Sequence, residues 1–133
     1  MLFRSDSMVP MPSFSTIDGV SITALMPSEE IDAINLRTQQ GGAEIVNLLK
    51  TGSAFYAPAS AAVAMAKSIL RNECRLLPCA AWLDGQYGLD GLYMGVPCVL
   101  GTNGLERIVE LELNEAESAK LAASAEARAE SAA

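Results

Sequence analysis

Three extended runs in a row constrain the fold of this chain more than any other feature. CRLLPCAAWL (74–83), LYMGVPCVLG (92–101) and RIVELEL (107–113) are separated by the turn-forming stretches DGQYG (84–88) and TNG (102–104). The last run alternates with the period of two that gives a strand one buried face. Connections this short join antiparallel neighbours, because a parallel crossover takes a dozen or more residues. The region reads as a three-stranded antiparallel meander. Gly95 and Pro97 predict a bulge or irregular stretch in the middle strand, since Pro withholds a ladder donor.

The segments around the meander carry helical and turn signals. Asp18-Gly19 is a hairpin turn signal between two short strand-like runs. Pro27-Ser28 starts a helix, with Ser28 as N-cap and Glu29 and Glu30 in the favourable first turn. Ile31, Ile34, Ile45, Val46, Leu48 and Leu49 recur at helical spacing, and Gly41-Gly42 predicts a kink or a break into two helices. Pro58 fits the first turn of a further helix, whose predicted buried stripe is Val63, Ala66, Ile69 and Leu70. Small residues between them allow close packing against a sheet. At the C-terminus, Asn114 and Glu117 fit a capping-box-like start, and the Ala-, Glu- and Lys-rich tail is helical in composition. Its apolar face is mostly alanine, so this helix is expected to lie across a neighbouring surface and to fray first. The predicted class is α+β, with helices packed on an antiparallel sheet.

Composition narrows the function. A chain of 133 residues, half of them hydrophobic and 19% charged, is long enough to bury a core without a disulfide or metal staple. The net charge is −7 and the nine basic residues form no run, which argues against nucleic acid and anionic membranes as partners. No apolar run approaches the length of a membrane span. The three cysteines, Cys74, Cys79 and Cys98, form no C-x-x-C pair, and the chain has no histidine. Buried free thiols in a reducing cytoplasm are the expectation, and no metal site is predicted.

Lack of histidine also removes Ser/His and Cys/His nucleophilic pairs. Glu106, Glu110, Glu112, Glu115 and Glu117 read as a solvated face rather than an acid–base pair. GLDGLYMG and GTNG read as turns, because neither stands between a strand and a helix where a phosphate cradle would lie. The segment LLKTGSAFYAPASAAVAM differs: a Gly-Ser-Ala turn leads through two aromatics into a proline-started helix. That arrangement makes a small-walled corner, with simple close packing as the competing reading.

The phrases DSMVP, PSFSTIDGV, QGGAEIVNLLKTGSAFYAPASAAVAMAKSIL, RLLPCAAWLDGQYG and GLYMGVPCVLGTNGLERIVELELNEAE, in this order, resemble the C-terminal half of NAD-dependent malate dehydrogenases of the lactate-dehydrogenase-like type. The resemblance runs from Asp6 to about Glu130 and implies the α/β C-terminal domain of that family over residues 6–133. It implies oxidation of malate to oxaloacetate with NAD, a place in the tricarboxylic acid cycle, and a homo-oligomeric parent, dimer or tetramer. Family members carry a Rossmann half with a glycine loop, substrate-gripping arginines and a histidine proton acceptor, none of which is found in this sequence.

By resemblance, Ser53 and Ala54 wall the substrate and Pro58 packs near the nicotinamide ring of the cofactor. No catalytic residue carries over. Arg4 stands where the family's histidine belongs and Ser5 where a glycine belongs, and arginine cannot accept a proton at working pH. The sharp edge at Asp6 makes residues 1–5 an expected non-family leader. Leu-Phe-Arg-Ser is also encoded by a common sequencing-adapter string, so read-through on a truncated gene is the expectation. The chain alone is then predicted inactive. The alternatives are a fragment of a lactate or other 2-hydroxy-acid dehydrogenase, or a non-catalytic dimerisation or regulatory module that docks through residues 28–49.

Overall fold

The computed structural model describes residues 8–132, with side chains to residue 127. The readings of Arg4, Ser5 and the 1–5 leader lie outside the described residues. Two compact units emerge, Met1–Ala54 with Ala116–Ser124, and Phe55–Glu115 with Ala125–Ala133.

The first unit opens with a 3-10 turn at Pro12–Phe14. Strands β1 (Thr16–Ile17) and β2 (Val20–Ser21) then pair antiparallel, Thr16 with Ser21 and Ile17 with Val20. Asp18 and Gly19 both have positive φ, 49° and 84°. This is the backbone hand that matches the twist of a two-residue hairpin. Ser21 caps the short helix α1 (Ile22–Leu25), its Oγ accepting the Thr23 N–H at 3.3 Å.

Helix α2 (Ser28–Leu49) follows as one unbroken helix. Pro27, extended at ψ 151°, holds the cap position, and its carbonyl accepts the N–H groups of Glu30 and Ile31. Ser28 is therefore the first helical residue and not the N-cap predicted for it. The helix also continues through Gly41-Gly42, where two helices or a kink were predicted. A helical glycine costs only about 1 kcal/mol relative to alanine. The bidentate Arg37–Glu44 pair spans the glycines from the flanking turns. Lys50 ends the helix in the left-handed region, its N–H bonded to the Val46 carbonyl.

The second unit is built on the meander. Helix α3 (Tyr56–Leu70) precedes β3 (Arg75–Asp84), β4 (Asp90–Gly101) and β5 (Gly104–Ile108), which lie in the order β3-β4-β5 with every pair antiparallel. The first two strands match the sequence reading to within two residues at each end. The third begins earlier and ends at Ile108, so Val109–Leu113 is not strand.

The irregularities fall elsewhere than Gly95 and Pro97. The register shifts at Leu83/Asp84 and at Val99/Leu100. Pro97 faces Pro78 directly. The Pro97 carbonyl accepts the Val109 N–H at 2.8 Å, which turns that residue's backbone groups away from β3. Neither proline then occupies a donor position between the two strands, so the ladder tolerates both.

One face of this sheet is the core. Cys79, Ala81, Leu83, Met94, Val96, Cys98 and Leu100 alternate inward, with Leu83 and Cys98 fully buried. Helix α3 packs on β4 through Ser68, whose Oγ donates to the Leu100 carbonyl at 2.7 Å and accepts the Arg75 N–H at 3.2 Å. Predicted and observed faces of α3 differ here. Val63, Ala66 and Leu70 are exposed and Ile69 is half-buried, while Ser68 is fully buried. Both of Ser68's hydrogen-bond functions are satisfied by backbone, so its burial carries no desolvation penalty that would turn an apolar stripe inward instead.

Helix α4 (Glu115–Ala132) begins directly after Asn114, as the capping pattern predicts. Its residues Glu117, Leu121, Ser124 and Ala125 are buried. Within the first unit Glu117 accepts a hydrogen bond from the Ser13 hydroxyl, 104 residues away. Glu117 is thus a buried tertiary acceptor rather than part of a solvated face.

Candidate functional site

The segment singled out in the sequence connects α2 to α3 along the chain. Leaving α2, the chain passes through Lys50 at φ 61° and Gly52 at φ 92°. The second value is readily reached only by glycine. Ser53 follows exposed and Ala54 half-buried, both in irregular backbone. These two residues close the first compact unit, and Phe55 begins the second.

Pro58 is the third residue of α3, exposed, in the first turn. There its missing N–H is one of the helix's orphan donors, so the ring disturbs no hydrogen bond. The aromatics Phe55 and Tyr56 are 60% and 75% exposed. The chain's own packing therefore leaves this aromatic shoulder uncovered.

The thiols divide. All three cysteines are free, Cys79 and Cys98 buried but Cys74 exposed, which corrects its predicted burial. Cys74 sits just before β3 in a left-handed conformation at φ 48°, two residues after Asn72 at φ 50°. This turn keeps its side chain off the sheet's inward face. Burial pushes the thiols of Cys79 and Cys98 above the ordinary cysteine value. While the core is closed, burial therefore favours the protonated, packing form of both thiols at neutral pH. Among the described residues, no three metal-ligating side chains converge.

Two exposed glutamates have structural tasks that the reading as a solvated face missed. Glu106, skipped by the β4–β5 register, folds back and accepts the Asn103 N–H at 3.0 Å. A Cβ at Gly101 would stand 2.7 Å from that carboxylate, so a larger residue there would push the exposed Glu106 side chain aside. Glu110 accepts the Tyr87 N–H at 2.7 Å. Tyr87, at φ 56°, places its hydroxyl to donate to the Val109 carbonyl at 2.8 Å and accept the Leu111 N–H at 3.0 Å. Burial, with help from the Glu110 and Cys98 charges, raises the phenol above its usual value. Tyr87 thereby ties the β3–β4 turn to the segment after β5. No local sequence pattern announces a contact between residues 22 to 24 apart.

Helix α2 carries a shallow groove of about 440 Å³ lined by Ile34, Arg37, Thr38, Gly41, Glu44, Ile45 and Leu48. Only Ile31 of this helix is buried, while Ile34, Leu36 and Leu48 are 49%, 56% and 75% exposed. A Cβ at Gly41 would meet nothing within 4 Å. The glycine is therefore not demanded by crowding inside the chain.

Comparison with known proteins places these features in a family. The model of the lactate/malate dehydrogenase alpha/beta C-terminal domain matches residues 4–130. A malate dehydrogenase of Roseiflexus castenholzii is 56% identical over 124 residues, covering 93% of this chain and 40% of the relative. One from Methylobacterium radiotolerans is 56% identical over 121 residues, 87% of this chain and 38% of the relative. The solved malate dehydrogenase of Salinibacter ruber superposes with a TM-score of 0.90 at 44% identity, over 94% of this chain and 41% of that one. The lactate dehydrogenase of Eimeria maxima, solved with NADH and oxamate, gives 0.88 at 40% identity, over 94% and 40%. The chain thus spans about 40% of the length of these relatives.

Proposed function

Since the chain belongs to the lactate/malate dehydrogenase alpha/beta C-terminal domain family, we propose that it is the substrate-domain part of an NAD-dependent malate dehydrogenase interconverting (S)-malate and oxaloacetate. The observation that carries this is the 56% identity, over nearly the whole chain, to curated malate dehydrogenases. The lactate alternative draws on solved lactate dehydrogenases of the same fold, but at lower identity.

In this reading Ser53 and Ala54 form a small wall beside the reacting carbon, delivered by the left-handed step at Gly52. Pro58 packs near the nicotinamide ring. NAD supplies hydride transfer, and its main binding half lies in sequence other than these residues. The chain itself has no imidazole to accept the hydroxyl proton, so alone it is inactive. The exposed apolar face of α2, opened at Gly41, is covered by a second subunit of a homo-oligomer. Free thiols suit a cytoplasmic setting. Among the described residues no helix is long and apolar enough to cross a membrane.

The test joins the dinucleotide-binding part of the Roseiflexus castenholzii relative to this chain at Asp6. The folded hybrid is expected to oxidise NADH with oxaloacetate, and the isolated chain to do nothing. A folded hybrid without activity refutes the proposal. Within the hybrid, Ala54→Leu is expected to raise KM for oxaloacetate about tenfold or more, since one misplaced group at a reacting centre costs about 1.4 kcal/mol or more. An unchanged KM assigns Ala54 to packing alone.

A further inference from the structure

Cys79 and Cys98 share the buried face of the β3–β4 ladder. Cys79 is paired with Val96 and Cys98 with Leu77, which makes the two cysteines diagonal neighbours on one face. Cys98 is fully buried and Cys79 is 8% exposed. The Cys98 Sγ donates to the Val96 carbonyl at 3.3 Å and leans to within 3.8 Å of the Cys79 carbonyl.

Ladder neighbours on a diagonal stand about 7–8 Å apart at Cα. A disulfide takes at most about 6.8 Å. Closure therefore asks for a shift on the order of 1 Å. The β3–β4 register runs unbroken past both cysteines, so the shift must come from a local opening of the pair rather than from a bulge between them.

We propose that Cys79 and Cys98 are a latent cross-strand redox pair, which a low-molecular-weight disulfide converts into a disulfide stapling β3 to β4. The more exposed Cys79, as thiolate, attacks one sulfur of the reagent. The reagent's S–S bond breaks and one half leaves as a thiol. The Cys98 thiolate then attacks the Cys79 sulfur of the mixed disulfide and expels the second half. The protein gives up two protons and two electrons, and the reagent's disulfide becomes two thiols. Both protein thiols are buried, so the exchange runs through brief local opening of the hairpin and is slow.

The experiment uses the 133-residue chain with its exposed Cys74 first alkylated under native conditions. Excess oxidised glutathione is then added, and intact mass and peptide mapping are followed. The expected product is a monomer lighter by two hydrogens, with a Cys79–Cys98 linked peptide pair and a raised thermal midpoint, restored by dithiothreitol. Cys98→Ala is expected to stop at the glutathione adduct on Cys79. Two thiols that remain free for alkylation after unfolding would overturn the proposal, as would a disulfide found only between two chains. The mapping needs no substitution, so a poorly folding variant leaves the test intact.

Discussion

The meander and helix α2 meet the same demand, burial of an apolar face, in opposite ways. The β3–β4 ladder fills its inward side with its own alternating residues, down to the fully buried Leu83 and Cys98. Helix α2 also carries a run of apolar residues at regular spacing, yet buries only Ile31. A strand pair with helix α3 packed on it can close a core locally. A single long helix presents one stripe, and only a second body can cover it. The sheet is therefore the self-sufficient part of this chain, while most of the α2 stripe stays uncovered.

This contrast sets the expected order of mutational effects. Leu83→Ala is expected to cost about 2–5 kcal/mol of stability by denaturant titration, because it empties a closed site. A loss below about 1 kcal/mol would mean that the sheet is less self-contained than described. Ser68→Ala is expected to cost about 1–3 kcal/mol, since it leaves the buried Leu100 carbonyl and the Arg75 N–H short of a partner.

Alkali provides a graded probe of the same core. In the folded chain Cys79, Cys98 and Tyr87 all titrate above their ordinary values. The unfolded chain therefore releases protons first as pH rises. Stability is expected to hold below about pH 8.5, fall above it as unfolded-state thiols ionise, and fall further beyond about pH 10 with the phenol. Denaturation midpoints across pH 7 to pH 11 check this, and a flat profile would contradict the burial of the thiol pair. The smallest effect belongs to α2. Leu48→Ala, on a residue 75% exposed, is expected to change the stability of the chain alone by no more than about 0.5 kcal/mol. A larger loss would show that its face is already covered, for instance by self-association.

Much of the fold was legible because its signals are local. Asp18-Gly19 specified a hairpin through backbone conformation, Pro58 a helix start through its missing donor, and strand alternation the meander. Two misreadings are local: Ser28 lost the cap to its neighbour Pro27, and Glu106 accepts across its own turn. The others share one cause. The α3 stripe lost its place to Ser68, and Glu110 and Glu117 became acceptors for groups on distant segments. Each of these depends on which atoms arrive from elsewhere in the chain. The corner at Ser53 and Ala54 was legible as a turn through Gly52, but what faces it is not a local property.

By itself the sequence determined the element types, the antiparallel order of the meander and, through an ordered set of phrases, the family. The first two follow from torsional preference and periodicity, which act over a few residues, while the family rests on the resemblance of those phrases. Only the tertiary structure decided which face of α3 is buried, where the ladder slips, that Cys79 and Cys98 become diagonal neighbours on one buried face, and that Tyr87 ties a turn to a segment more than twenty residues on. Those outcomes rest on satisfying buried donors and acceptors across long chain separations, and no short window of sequence contains both partners.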